Sequence, residues 1–330
     1  MNINLNSINK ILIIRLSSFG DILLTTPLIR TLKNSNPKLQ IDFILREEYE
    51  DLLKNNSYIN KIYKYTNHKI EKQNIFNSLL NEEYDLSIDL QNNIRSKELV
   101  RLLKCDKLKF KKNNFKKFLL VRFKINKLKS APPISVRYLN VLNNSTPDEE
   151  GLDFFTDNDI NPKLKDADNL IGLCPGAKHF TKQWPKEYFI ELGKKLEYEG
   201  YKIVLFGGAE EVKTSNEIEE KLQNALNLSN TGILQLGADM KMCKAIYTND
   251  SGLMHLASAV KVPVISFFGS TVKEFGFFPY NTKSVVLENK ELSCRPCTHI
   301  GRSSCPKVHF NCMKQITPDN AFQALKMVTE

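Results

Sequence analysis

The 330-residue sequence predicts an α/β protein built on parallel sheets in two domains. Three observations carry that reading. Apolar runs of buried-strand length recur along the chain, each followed by a turn of small or polar residues and then by apolar residues at helical spacing, the alternation that builds a parallel sheet with crossover helices. The turns stand at the carboxyl ends of the strands, where open α/β sheets collect their ligands. A polar stretch from Asn143 to Asp168 shifts the composition near mid-chain and marks a link between domains.

Strands are expected at 11–15, 41–45, 85–89, 170–174, 202–206, 244–248 and 262–268. The first leads through Arg15-Leu-Ser-Ser-Phe-Gly-Asp21 into a helix over Ile22 to Lys33, which Pro27 should kink or delay. Asp21 then stands at a strand tip or a helix start, where it either caps the helix or does chemistry. The strand at 202–206 is followed by Gly207-Gly208-Ala209-Glu210-Glu211, whose acids suit the positive end of a helix whatever else they bind. The strand ending near Asn249 is followed by Asp250-Ser251-Gly252 and a helix with Leu253, Leu256, Ala257 and Val260 on one face. The free backbone N–H groups of that helix start suit an anion, and His255 lies one turn further along. Asp250 either orients a sugar hydroxyl or caps the helix. Gly269-Ser270-Thr271 closes the last strand.

Composition bounds the function. At 42% hydrophobic residues the chain can bury two cores of ordinary domain size. No run approaches the length of a membrane span and no secretory pattern opens the sequence, so a cytoplasmic location is expected. Of 47 basic and 37 acidic residues, 12 and one respectively lie between Arg101 and Ser130, which leaves 35 and 36 elsewhere. That segment interleaves Phe110, Phe115, Phe118 and Phe123 with its lysines. Lys111, Lys112, Lys116 and Lys117 suit an anionic glycolipid or an anionic inner-membrane surface, and otherwise form a solvated face whose aromatics point inward. Nucleic acid is not expected, since no binding motif accompanies the charge. Four of seven cysteines, Cys294, Cys297, Cys305 and Cys312, crowd the end of the chain. They read either as packed thiols or as a tetrahedral structural zinc site. Asp157-Asn158-Asp159 has the spelling of a metal–nucleotide carboxylate pair, but no strand presents it and it reads as solvated loop.

Three motifs resemble one family, the glycosyltransferase family 9 heptosyltransferases. They are Arg15-Leu-Ser-Ser-Phe-Gly-Asp21 with Thr-Thr-Pro27, Cys174-Pro-Gly-Ala-Lys-His-Phe-Thr-Lys-Gln-Trp-Pro185, and Asn249-Asp-Ser-Gly-Leu-Met-His255. The Cys-Pro-Gly-Ala opening is similar to the type that adds the second heptose, and the choice between first and second stays open. The resemblance implies two Rossmann-like domains facing a cleft, the GT-B architecture, with residues 1–160 binding acceptor and 161–330 binding the nucleotide sugar and carrying the cysteine tail. It implies a metal-independent inverting transfer of heptose from ADP-heptose to the lipopolysaccharide core, needing no cofactor, on the inner face of the cytoplasmic membrane. Asp21 matches the general base and Lys182 the diphosphate-binding lysine. Ser251, Gly252 and His255 match the remaining diphosphate contacts, Asp250 a donor-sugar contact, and Glu211, or its neighbour Glu210, the ribose-binding acid. The cysteine tail then looks like a structural clasp.

Three alternatives stay open. Another member of the same family could use a different donor or acceptor. A nicotinamide-dependent oxidoreductase would use similar strand–turn–helix units, yet no G-x-G-x-x-G follows a strand here. A non-catalytic sugar-nucleotide or glycolipid-binding protein would keep Lys182 and His255 without needing Asp21.

Overall fold

The computed structural model describes residues 7–143, 146–157, 159–164 and 169–329. Asn158 and the linker residues 144–145 and 165–168 fall outside them, while Asp157 and Asp159 are exposed. The chain forms two compact units. One takes the chain as far as Asn113 and then Ile134–Phe155; the other takes Asn114–Pro133 and the described chain from Thr156 onward.

The first unit holds β1 (Lys10–Ile14), α1 (Phe19–Leu23), α2 (Thr26–Ser35), β2 (Gln40–Arg46), β3 (Lys61–Tyr65), α3 (Lys69–Leu80), β4 (Leu86–Asp89), α4 (Ile94–Leu102) and β5 (Asp106–Lys109). Next along the chain, α5 (Asn114–Phe123) belongs to the second unit, and α6 (Ile134–Leu139) returns to the first. The sheet order is β3-β2-β1-β4-β5, and every pairing is parallel. β1 is central and reads KILII because strands in such a sheet are covered on both faces. Its Ile11, Leu12, Ile13 and Ile14 are fully buried. The helix expected over 22–33 is broken in two: α1 stops at Leu23 and α2 restarts with Pro27 at its second position, where a missing N–H costs nothing.

The second unit continues with β6 (Leu170–Cys174), α7 (Lys186–Tyr198), β7 (Lys202–Leu205), α8 (Val212–Glu219), β8 (Ala225–Asn227), α9 (Ile233–Met240), β9 (Ala245–Asn249), α10 (Gly252–Ala259), β10 (Val264–Phe268), β11 (Ser284–Glu288), α11 (Asn311–Lys314) and α12 (Pro318–Thr329). Its order is β11-β10-β9-β6-β7-β8, again all parallel. Phe189, Leu192 and Leu196 of α7 and Ala321, Ala324 and Leu325 of α12 share one core with Tyr247 and Phe267 of the sheet. Trp184 stacks on Phe267 with ring centroids 4.1 Å apart.

Both sheets reverse direction once, between β1 and β4 in the first unit and between β6 and β9 in the second. Ligands of open α/β sheets bind outside the strand ends at such a reversal. The segment 114–133, which the sequence reading placed in the N-terminal half, groups with the second unit because Leu120 and Leu128 bury against Phe275 there.

Candidate functional site

In the first unit α1, entered from the turn after β1, carries Asp21 at the sheet reversal. Its Oδ1 pairs with Arg15 Nη2 at 2.7 Å, and its Oδ2 accepts from the Ser18 hydroxyl at 2.7 Å. The Ser18 N–H donates to Oδ2 at 3.4 Å, so the capping role is also real. The Tyr138 hydroxyl from α6 donates to Oδ1 at 3.4 Å. Arg15 is held from behind by Leu90 O at 2.7 Å. Burial works to lower the Arg15 guanidinium, and Asp21, Tyr138 and Asp89 together more than reverse this, leaving it raised. Burial pushes the Tyr138 hydroxyl up, so it stays a proton donor to Asp21. The side chain of Asp21 is 18% exposed and that of Arg15 9%, so the carboxylate is the member of the pair that solvent reaches. The turn after β4 supports this one: Gln91 Oε1 accepts the Ser17 N–H at 3.2 Å, and Asp89 accepts the Gln91 and Asn92 N–H groups at 3.0 and 2.7 Å.

In the second unit the turns after β6 and β9 meet. Asn249, fully buried at the end of β9, accepts the Trp184 N–H at 2.9 Å and donates to Pro175 O at 2.7 Å. This clamps the loop carrying Lys182 onto the strand ends. Lys182 Nζ pairs with Asp250 Oδ2 at 2.7 Å, and the Thr271 hydroxyl donates to the same oxygen at 2.6 Å. Here the exposure is inverted, with Lys182 at 17% and Asp250 at 6%. Ser251 stands at the N-cap of α10 without making a side-chain cap, and Gly252 opens the helix. The Ser251 Oγ is buried and has no hydrogen-bond partner among the described residues. His255 is buried on α10, its ring 6.5 Å from that of Phe277.

Glu211 lies in the turn after β7, where its Oε2 accepts the Gly208 N–H at 2.8 Å. A Cβ at Gly176 would come within 2.2 Å of Glu211 Cγ. Glycine there lets the carboxylate lie against the turn after β6. Glu210 and Glu211, with Gly176, Lys178, Phe180 and Phe310, line a pocket of about 540 Å³.

The basic residues divide. Lys111 and Lys112 belong to the first unit and Lys116 and Lys117 to the second, so the sequence cluster is not one patch on one unit. Lys112 has its ammonium shifted down by desolvation and then by the charge of Arg15. Lys117 Nζ lies 5.8 Å from the centre of the Phe277 ring.

The sequence leaves the tail cysteines either as packed thiols or as a zinc site. Among the described residues no group of three or more His, Cys, Asp or Glu side chains is gathered to hold a metal. Cys312 sits instead in the core of the second unit, with Cys305 packed against it. Burial first, and then neighbouring Cys297, push the Cys312 thiol up to about 11. What the tail does is clasp. Arg302 and Thr181 exchange two hydrogen bonds, at 2.9 and 3.1 Å, one residue from Lys182. Gly301, at φ +134°, passes so close to His179 that a Cβ would lie 2.4 Å from it. Arg295 donates to Gly269 O, Phe268 O, Thr271 O and the Glu288 carboxylate, fixing the turn that holds Asp250. Sequence reasoning did not single out Arg15, Tyr138, Asn249, Thr271 or Arg295 as site residues. Arg15, inside the first motif, Asn249, at the head of the third, and Thr271, in the turn that closes the last strand, carried a local signal, whereas Tyr138 and Arg295 carried none.

Residues 73–308 match the sequence profile of glycosyltransferase family 9 (heptosyltransferase). The lipooligosaccharide heptosyltransferase 2 of Campylobacter jejuni is 32% identical over 173 residues, 50% of this chain and 53% of that protein. The match thus spans about half the length of that relative. The lipooligosaccharide heptosyltransferase 2 of Haemophilus ducreyi is 28% identical over 97% of this chain and 99% of its own. Among solved structures, the E. coli ADP-heptose lps heptosyltransferase II superposes with a TM-score of 0.73 at 24% identity, covering 97% of this chain and 98% of that one. That likeness establishes the fold.

Proposed function

Because the chain belongs to glycosyltransferase family 9, the heptosyltransferase family, we propose that it transfers heptose from ADP-heptose to the inner core of lipopolysaccharide, with inversion at the anomeric carbon. The observation that carries the reading is the inverted exposure of two ion pairs, Asp21 being the reachable member of one and Lys182 of the other. Glycosyl transfer from a nucleoside diphosphate needs one base and one cation that solvent-side substrates can meet. Asp21 takes the proton of the acceptor hydroxyl as its oxygen bonds to the anomeric carbon. The bond from that carbon to the diphosphate breaks through an oxocarbenium-like state. Lys182 and the N–H groups opening α10 at Ser251 and Gly252 neutralise the departing diphosphate, with His255 adding a hydrogen bond. Glu211 holds the ribose from the wall of the 540 Å³ pocket, and Asp250 aims Lys182. These residues supply the charges the reaction needs, and the proposal calls on no cofactor.

The acceptor is a phosphorylated glycolipid, which Lys111, Lys112, Lys116 and Lys117 attract at the anionic inner leaflet of the cytoplasmic membrane. Among the described residues no helix is long and apolar enough to cross a membrane, and the proposed attachment is peripheral. A structural zinc on Cys294, Cys297, Cys305 and Cys312 would require the four thiols to draw together beyond the arrangement described. Elemental analysis of protein purified without added metal decides it: about one zinc per chain carries the reading, and four titratable thiols without metal end it.

The deciding experiment incubates the protein with ADP-heptose and heptose-free core glycolipid and measures released ADP. Release that requires both substrates supports the transferase. Release only with another nucleotide sugar moves the chain to a different donor within the family. Tight nucleotide binding with no release under any pairing overturns the enzyme in favour of a binding protein.

A further inference from the structure

α5 spans ten residues and buries one of them, Leu120. Leu120 packs with Leu128 and Phe275, while Val121, Val272 and Phe277 close the edge of that small core. Phe115, Phe118 and Phe123 of the same helix are 72%, 53% and 58% exposed, and Ile125 beyond the helix end is 47% exposed. Among the described residues the other strongly exposed phenylalanine is Phe180, which lines the nucleotide-sized pocket. The inward-pointing explanation therefore holds for buried Phe110 and fails for these three. They are not loosely held: Lys124 Nζ donates to Cys294 O at 3.0 Å and Pro296 O at 2.7 Å, fixing the end of α5 against the cysteine loop.

Positive charge surrounds this apolar face. Lys116, Arg122, Lys127 and Lys129 are exposed and make no ion pair among the described residues, and no acidic residue occurs anywhere from Lys107 to Pro147. Rings ringed by uncompensated cations suit the interface of an anionic bilayer, where aromatic side chains lie at the headgroup boundary and lysine stems reach the phosphates. A second copy of the same face would set cation against cation. We infer that α5 is a membrane-docking helix that inserts Phe115, Phe118 and Phe123 into an anionic lipid surface. This deepens the glycolipid reading, on which it rests for the choice of leaflet, by naming an apolar anchor besides the lysines.

The test uses the full chain without nucleotide sugar, with vesicles of phosphatidylcholine alone or mixed with phosphatidylglycerol. Wild type is expected to bind the mixed vesicles, and the triple variant Phe115→Ser, Phe118→Ser, Phe123→Ser to bind roughly tenfold or more weakly at every salt concentration, as loss of buried apolar surface requires. In the variant Phe118→Trp, emission should shift to the blue on vesicles and be quenched by lipids brominated in the acyl chains, while Trp184, only 2% exposed, gives an unchanging background. Equal binding by wild type and triple variant overturns the anchor, as does an unquenched Trp at 118, dimerisation through this face, or a preference for single-stranded RNA over vesicles. With detergent-solubilised acceptor the triple variant should release ADP as wild type does. If wild type binds vesicles but releases no ADP, the enzyme reading falls and the anchor stands.

Discussion

The two units place the same device, an aspartate paired with a cation just beyond a central parallel strand, and arrange it in opposite senses. In the first, Arg15 is locked by the Leu90 carbonyl behind it and the Asp21 carboxylate faces outward. In the second, Asp250 is locked by the Thr271 hydroxyl and the Lys182 ammonium faces outward. The choice of cation fits each role. Arginine keeps its charge and its planar fork satisfies a carboxylate and a carbonyl together, whereas lysine offers a compact, turnable charge to a ligand. An ion pair with one anchored member presents the other without leaving it uncompensated. The proposed transfer uses the first unit's carboxylate as its base and the second unit's ammonium as its electrophilic clamp.

The sharpest way to break this contrast is to neutralise each outward member. Asp21→Asn should lower turnover by roughly 100-fold or more, the usual size of general-base assistance, while ADP affinity measured by calorimetry stays unchanged. Unaltered turnover would reduce Asp21 to a helix cap. Lys182→Ala should weaken ADP binding by about 1.5–3 kcal/mol, the range for a charge-assisted contact. If ADP binds equally to both proteins, the second pair is structural and the contrast disappears.

The legible parts of the molecule were those with local causes. All seven strands expected from the sequence exist, and the four that were not expected, β3, β5, β8 and β11, are the edges of the two sheets. An interior strand is covered on both faces and reads as an apolar run, as LIGLC does in β6. An edge strand such as β5, reading DKLK with three exposed residues, has no such signature. The site divides the same way. Asp21, Lys182 and Asp250 stand in short motifs at strand ends. Tyr138 reaches Asp21 across 117 residues of sequence and Thr271 reaches Asp250 across 21, and no local pattern encodes either meeting. The placement of α5 in the second unit likewise depends on Leu120 finding Phe275.

Smaller effects separate the anchoring groups. Thr271→Val removes the 2.6 Å bond to Asp250 and should cost about 0.5–1.5 kcal/mol, seen both as lost stability and as weaker ADP binding. Tyr138→Phe removes a 3.4 Å contact to Asp21, long for an O–H donor, and should change turnover less than about threefold. A larger loss in Tyr138→Phe than in Thr271→Val would mean that Asp21, and not Asp250, is the carboxylate that needs fixing.

The smallest effect tests whether chemistry is confined to the carboxyl edge of the first sheet. At the amino edge, Glu82 also sits among cations: it accepts from Lys10 at the start of β1, from Lys61 at the start of β3 at 2.6 Å, and from the Tyr63 hydroxyl at 2.6 Å. Lys10 first, then Lys61 and Tyr63, hold its carboxyl down to about 2. A carboxyl depressed in the folded state contributes stability above its unfolded pKa of 4.5 and loses it as pH falls toward about 2. Because the group is near the surface, screening keeps the contribution below about 1 kcal/mol. Glu82→Gln should therefore lower stability slightly at neutral pH, converge with wild type in urea unfolding as pH falls toward 2, and leave turnover and ADP binding unchanged. A turnover loss approaching that of Asp21→Asn would show that an ion-paired carboxylate at either edge serves the reaction, and the distinction between anchored and presented charge would no longer explain the site.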